Sequence, residues 1–160
     1  YSEFKKPKII FPDIAKESRM AFDEKNIFIG NTGYIIPIND LYLLGVLNSK
    51  LIFTYYKRTA MVLGDADKGG RLRWIYQHVV GIPIPFIDNL NPKDKSLKKK
   101  IEKSVQNILN LNQDLEEVEI DRDKENLKME IEKVDEQINR LVYELYSLTQ
   151  EEIKIVENEA

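Results

Sequence analysis

The spacing of apolar residues changes character near residue 90. Before it, apolar residues come in short runs broken by glycine, proline and polar clusters. Lys8-Ile9-Ile10-Phe11 ahead of Pro12 predicts a short strand, and Met20-Ala21-Phe22-Asp23 leads into a turn from Asp23 to Asn26. Ile27-Phe28-Ile29 and Tyr34-Ile35-Ile36 flank Gly30-Asn31-Thr32-Gly33, a stretch tolerant of positive φ, which predicts a β-hairpin. Asn39 or Asp40 can cap a helix in which Leu43, Leu44, Leu47, Leu51 and Ile52 recur at helical spacing, and which gives out near Tyr56 to Arg58. Thr59 to Arg71 has little periodicity. Ile75 and Val79-Val80 resume strand-like character, and the two prolines of Gly81-Ile82-Pro83-Ile84-Pro85 force an extended chain without ladder donors.

Beyond the turn-like Asp88-Asn89-Leu90-Asn91-Pro92 the period becomes helical. A helix starting near Lys93 carries Leu97, Ile101, Val105, Ile108, Leu111, Leu115 and Val118. A charged break from Glu119 to Glu125 precedes a second helix, whose Leu127, Ile131, Val134, Ile138, Leu141 and Leu145 step by 4, 3, 4, 3 and 4, an a/d seam. Two seams joined by a short polar link predict an antiparallel helical hairpin. Leu148-Thr149-Gln150-Glu151-Glu152 can cap a last short helix through Val156. The expected fold class is α+β: a small mixed α/β body over residues 1–90, followed by an antiparallel two-helix, coiled-coil-like hairpin over residues 91–160.

Composition narrows the chemistry. The chain of 160 residues holds one domain, or a small domain with an appendage, and 42% apolar residues suffice for a core. There is no cysteine and a single histidine, His78, so disulfides, thiolate sites and multi-histidine metal sites are excluded. A reducing, cytoplasmic setting fits. The most apolar stretch, Leu41 to Tyr56, is too short to span a bilayer and contains Asn48, Ser49 and Lys50. The first residues lack a signal-peptide core and an initiating Met, and read as a fragment of a longer chain. The net charge of −3 hides a split: +3 over residues 1–90 and −6 over residues 91–160. An anionic partner is therefore sought in the first half.

Catalytic motifs are missing. No GxGxxG follows a strand, and there is no GxxxxGK[ST], GxSxG or HExxH. Asp65 and Asp67 could hold a hard cation, but a solvated loop is the plainer reading. No nucleophile stands near His78. The expectation is a chain that binds rather than reacts.

Four features, in order, resemble one family. Pro7-Lys8-Ile9-Ile10 with Pro12-Asp13-Ile14, then Tyr42-Leu43-Leu44-Gly45-Val46-Leu47-Asn48-Ser49-Lys50-Leu51, then Ile82-Pro83-Ile84-Pro85, then Leu141-Val142-Tyr143-Glu144-Leu145-Tyr146 with Leu148-Thr149 resemble the TaqI-like specificity domain. That domain is the C-terminal target-recognition part of adenine-N6 DNA methyltransferases and of fused type IIG restriction-modification enzymes. The resemblance implies sequence-specific recognition of double-stranded DNA, presented to an N-terminal methyltransferase domain of the parent chain. It implies no catalytic residue or cofactor in these residues; S-adenosylmethionine is expected in the catalytic domain, whose NPPY-type motif is not present here. The parent is expected to be an adenine-N6 methyltransferase, with or without a fused endonuclease.

On this reading the candidate DNA contacts are Lys57 and Arg58 at the end of the central helix, Lys68, Arg71 and Arg73 behind it, Arg19, and Asn31 and Thr32 at the hairpin tip. Lysine and arginine neutralise phosphate, and arginine also reads guanine in bidentate fashion. Plainer readings stand beside each: helix C-terminal cations for Lys57 and Arg58, a solvated strand face for Arg71 and Arg73, a surface ion pair for Arg19, and a simple turn for Asn31-Thr32. Trp74 is expected in the core, and Tyr55 and Tyr56 to divide between inside and outside. The rival reading is a protein-interaction or dimerisation module built on the C-terminal a/d helices. A small enzyme using Asp65, Asp67 and His78 is a third.

Overall fold

A computed structural model describes residues 2–60, 62–63 and 70–160. Its β layer is two small antiparallel sheets. In the first, β1 (Lys8–Pro12) lies between β3 (Ala21–Asp23) and β4 (Gly33–Ile36); in the second, β6 (Arg71–Arg73) lies between β2 (Ile14–Ala15) and β5 (Val62–Leu63). One run of chain, Lys8 to Ala15, passes from the first sheet to the second across Asp13.

The expected hairpin at Gly30 to Gly33 is not formed. Ile27 to Ile29 are not a strand, and β4 pairs instead with β1, Ile10 opposite Ile35 and Phe11 opposite Tyr34. The apolar run of β1 offers two edges, so β3 takes one and the chain crosses over to place β4 on the other. Gly33 is needed at that return, because a Cβ there would lie 2.6 Å from Ile29 Cγ2.

The central helix is two helices, α1 (Leu41–Leu47) and α2 (Lys50–Thr59). Asp40 caps α1 by accepting from Leu43 N–H, and Ser49 caps α2 by accepting from Ile52 N–H. The break between them is tied down from outside. Asn48 exchanges two hydrogen bonds with the backbone of Met20, at 2.9 and 2.8 Å, and Ser18 Oγ donates to Leu47 C=O at 2.7 Å. The strand-like reading of Val79-Val80 also gives way, to a single helical turn, α3 (Tyr76–Val79).

The long helices are α4 (Pro92–Glu117) and α5 (Asp121–Leu145), followed by α6 (Gln150–Glu159). α4 and α5 pack as the expected hairpin, with Val134, Ile138 and Leu141 of the a/d seam buried. The linking break is shorter than expected, because Asp121 and Asp123 fall in the first turn of α5, where the helix dipole favours them. α6 opens on the expected capping box, Thr149 with Glu152. Among the described residues no helix is long and apolar enough to cross a membrane.

The hairpin and the body share a core. Ile101, Val105, Ile138 and Val142 belong to one buried cluster with Leu44, Val46, Ile52 and Trp74. Close approach is made at Gly45, where a Cβ would lie 2.7 Å from Val105 Cγ2 and 2.8 Å from Ile101 Cγ2. A second tie is the extended segment Gly81 to Pro85. Its alternate carbonyls accept from three tyrosine hydroxyls: Tyr55 to Gly81, Tyr146 to Pro83 at 2.7 Å, and Tyr42 to Pro85 at 3.3 Å. Proline cannot donate, but its carbonyl is a good acceptor. Burial, with the Asp40 and Asp94 carboxylates, pushes the Tyr42 hydroxyl up to about 12, so it remains a donor at ordinary pH. A third tie is Asn139 of α5, which accepts from Lys50 N–H at 2.8 Å.

The first sheet encloses an ion pair. Lys8 and Asp23 face each other across β1 and β3, both fully buried; the Lys8 ammonium also donates to Phe4 C=O, and Asp23 accepts from the N–H groups of Lys25 and Ile27. Burial alone would raise the Asp23 carboxyl. The ammonium and the two N–H donors outweigh it and hold the group below the usual carboxylate range. A lowered carboxyl contributes stability that is complete above its unfolded value, about 3.9, and drains as pH falls through the lower folded value.

Two outcomes follow. Gly45→Val is expected to cost about 1–3 kcal/mol through overpacking, read as a lower urea midpoint; an unchanged midpoint means that α1 stands off α4 without penalty. Asp23→Asn leaves an ammonium buried without its counter-charge and is expected to cost about 3–5 kcal/mol at neutral pH. In urea titrations from pH 7 to pH 2 its acid-side loss of stability should also be shallower than that of the wild type. Parallel curves would assign the acid sensitivity to other groups.

Candidate nucleic-acid interface

β6 alternates as its sequence suggests. Leu72 and the following Trp74 are buried, while Arg71 is exposed and Arg73 half-buried. Register places Ile14 opposite Arg73 and Leu63 opposite Arg71, so two arginines stand between two exposed aliphatic side chains on one sheet face.

Beneath this face the strand is clamped. Trp74 stacks on Tyr56 with ring centroids 3.9 Å apart and planes 1° from parallel, and Tyr56 Oη donates to Arg73 C=O at 2.7 Å. Burial pushes the Tyr56 hydroxyl up to about 12 and keeps it a donor. Both the core position of Trp74 and the buried place of Tyr56, with Tyr55 at the edge, agree with expectation. Trp74 Nε1 and Arg73 Nε are buried without a hydrogen-bond partner among the described residues.

Asp13 assembles the surroundings. Its carboxylate takes Arg73 Nη2 at 3.2 Å, its C=O accepts from Trp74 N–H at 2.7 Å, and its N–H donates to Thr32 C=O at 2.9 Å. The structure therefore brings Arg73 together with the exposed Asn31-Thr32 turn, with Arg71 two residues along the same strand face. Asp13 itself was not among the sequence candidates. Its sequence signals are its place in Pro12-Asp13-Ile14, one of the stretches that carry the family resemblance, and its position as a polar residue between two apolar runs.

The other candidates lie elsewhere. The Lys57 ammonium sits over the Phe53 ring, 4.7 Å from its centroid. Arg58 is held by Glu159 of α6, with Nη2 at 2.6 Å and Nε at 3.2 Å. Arg19 pairs with Glu17 at 2.5 Å and lines a groove beside β3 that includes none of the β6 arginines. Lys68, with Asp65 and Asp67, lies outside the described residues. Among the described residues no group of three or more histidine, cysteine or acidic side chains is arranged to hold a metal ion.

Comparison with known proteins gives this face a context. Residues 1–84 match the family model described as the TaqI-like C-terminal specificity domain. The chain is also similar to the type II methyltransferase M.BanIII of Aneurinibacillus aneurinilyticus, at 31% identity over 124 residues. That similarity covers 64% of this chain and 21% of the relative, so the chain spans about a fifth of the length of the curated protein it matches. The matched residues run from the first sheet through β6 and its arginines to the tyrosine-held segment, and on this match the chain belongs to the TaqI-like C-terminal specificity domain family.

Proposed function

We propose that this chain recognises a double-stranded DNA target for a restriction-modification methyltransferase, and that it presents a target adenine to a catalytic domain elsewhere in the parent protein. Family membership and the relative's name support the specificity role. The observation that carries the placement is the outward pair Arg71 and Arg73 beside the Asn31-Thr32 turn. Asp13 holds the Arg73 guanidinium in one orientation, which lowers the entropy lost when it meets a guanine edge or a phosphate. Arg71 neutralises phosphate or reads a base, and Lys68, in the connection between β5 and β6, adds a further cation. Lys57 plays a smaller part. Arg58 and Arg19 contribute least, because their carboxylate partners hold them more closely, at 2.6 and 2.5 Å, than Asp13 holds Arg73 at 3.2 Å. The adenine would be turned out of the stack into the catalytic domain, where S-adenosylmethionine is held. Burial of the seam residues Val134, Ile138 and Leu141 within the chain supports this reading over the rival dimerisation one.

Fluorescence anisotropy with a duplex at low and moderate salt tests this face. Replacing both arginines, Arg71→Ala with Arg73→Ala, is expected to weaken binding about tenfold or more and to lower the salt slope by about 2. Arg58→Ala and Arg19→Ala should each change affinity by less than about twofold. Circular dichroism must show all the variants folded. Binding indifferent to the double change, or lost with Arg58→Ala, would move the DNA face away from β6.

A further inference from the structure

A groove of about 910 Å³ opens between the edge strand β3 and the flank of α4, with the α1–α2 junction in its floor. Met20, Phe53, Ile108 and Leu109 give it an apolar lining. At one end Ile27 lines it as well, and the next residue, Phe28, is 61% exposed and stacks on Phe4 at 5.2 Å. Arg71, Arg73, Asn31 and Thr32 do not line it.

The charges around it are unbalanced. Five carboxylates and three cations line the groove. Glu17 with Arg19 are one pair, Asp23 is spent on Lys8, and Lys50 is spent on Glu157 outside the groove. This leaves Glu24, Glu116 and Asp135 against Lys25, three acids to one base. A strand added to β3 meets an obstacle, because both main-chain groups of Met20 are already taken by the Asn48 amide. A helix needs no free main-chain groups, and a groove of this volume takes about two turns of one.

We propose that this groove is a docking site for a basic amphipathic helix of a partner polypeptide. The helix sets its apolar stripe on Phe53, Ile108 and Leu109 and its lysines or arginines toward Glu24, Glu116 and Asp135. The β6 arginines lie outside this surface, which borders the α4–α5 seam at Val105, Ile108 and Ile138, and the inference does not depend on the DNA reading.

The probe is a labelled, about 18-residue helical peptide with leucines at i, i+3, i+4 and i+7 and lysines elsewhere, together with a twin in which glutamate replaces lysine. Both are titrated with the whole chain at moderate salt. The groove variant carries Asn112→Arg and Glu116→Arg, both on the exposed wall of α4; the control carries Glu130→Arg, exposed on α5 and outside the groove. The lysine peptide is expected to bind wild type and control alike and the groove variant about tenfold more weakly, while the glutamate twin does not bind. Equal weakening by the control would reduce the attraction to the acidic hairpin in general and overturn the proposal. So would indifference of the groove variant, or absence of binding.

Discussion

At Gly45 the backbone of α1 comes against the methyl groups of Val105 and Ile101, and the arrangement of the body around the hairpin follows from that contact. Any side chain there would hold the two helices apart. With none, Leu44, Val46 and Leu47 on one side and Ile101, Val105 and Ile138 on the other close into a single buried cluster. Two three-stranded sheets of two to five residues per strand could not bury enough surface to stand alone. The hairpin supplies what the β layer lacks, so residues before and after 90 depend on one core even though their sequences read differently.

The same dependence explains why separated sequence features meet in space. The proline-rich Ile82 to Pro85, Tyr42 at the start of α1 and Tyr146 at the end of α5 form one set of hydrogen bonds. Each is worth about 1 kcal/mol. Their larger effect is directional, because an extended segment with few donors can be fixed only by donors brought to it. Glu157 and Glu159 of α6 likewise reach back to Lys50 and Arg58 of α2. The helical half is thus bound to the body through α6 as well as through α4 and α5.

What could be read in the chain beforehand was what depends on neighbours in sequence. The α4–α5 seam, the α6 capping box, strand β1 and the alternation of Arg71, Leu72, Arg73 and Trp74 are local patterns, and they appear as expected. Local pattern misled where a distant partner decided. Gly30 to Gly33 looks like a hairpin loop, yet β1 offers Tyr34-Ile35-Ile36 a better edge than Ile27-Phe28-Ile29 does. The helix from Leu41 looks continuous, yet Asn48 is drawn out of it by the backbone of Met20. Arg58 carries no sign of Glu159, which lies 101 residues further on. Asp13, which orients Arg73 and receives Trp74, is one acid among many until the two sheets are folded together.

The amide side chain of Asn139 has a consequence for how the molecule comes apart. It closes the N-terminus of α2 from a helix 89 residues away, donating at the same time to Asp135. The first turn of α2 therefore has one of its main-chain donors satisfied only while α5 is in place. α2 carries Tyr56, and Tyr56 carries Trp74 and β6, so loosening the hairpin is transmitted to the arginine face through a chain of contacts rather than absorbed at the joint. In hydrogen exchange the Lys50 amide is then not a local probe of a helix end, where protection is ordinarily lowest, but a gauge of whether the two halves are joined.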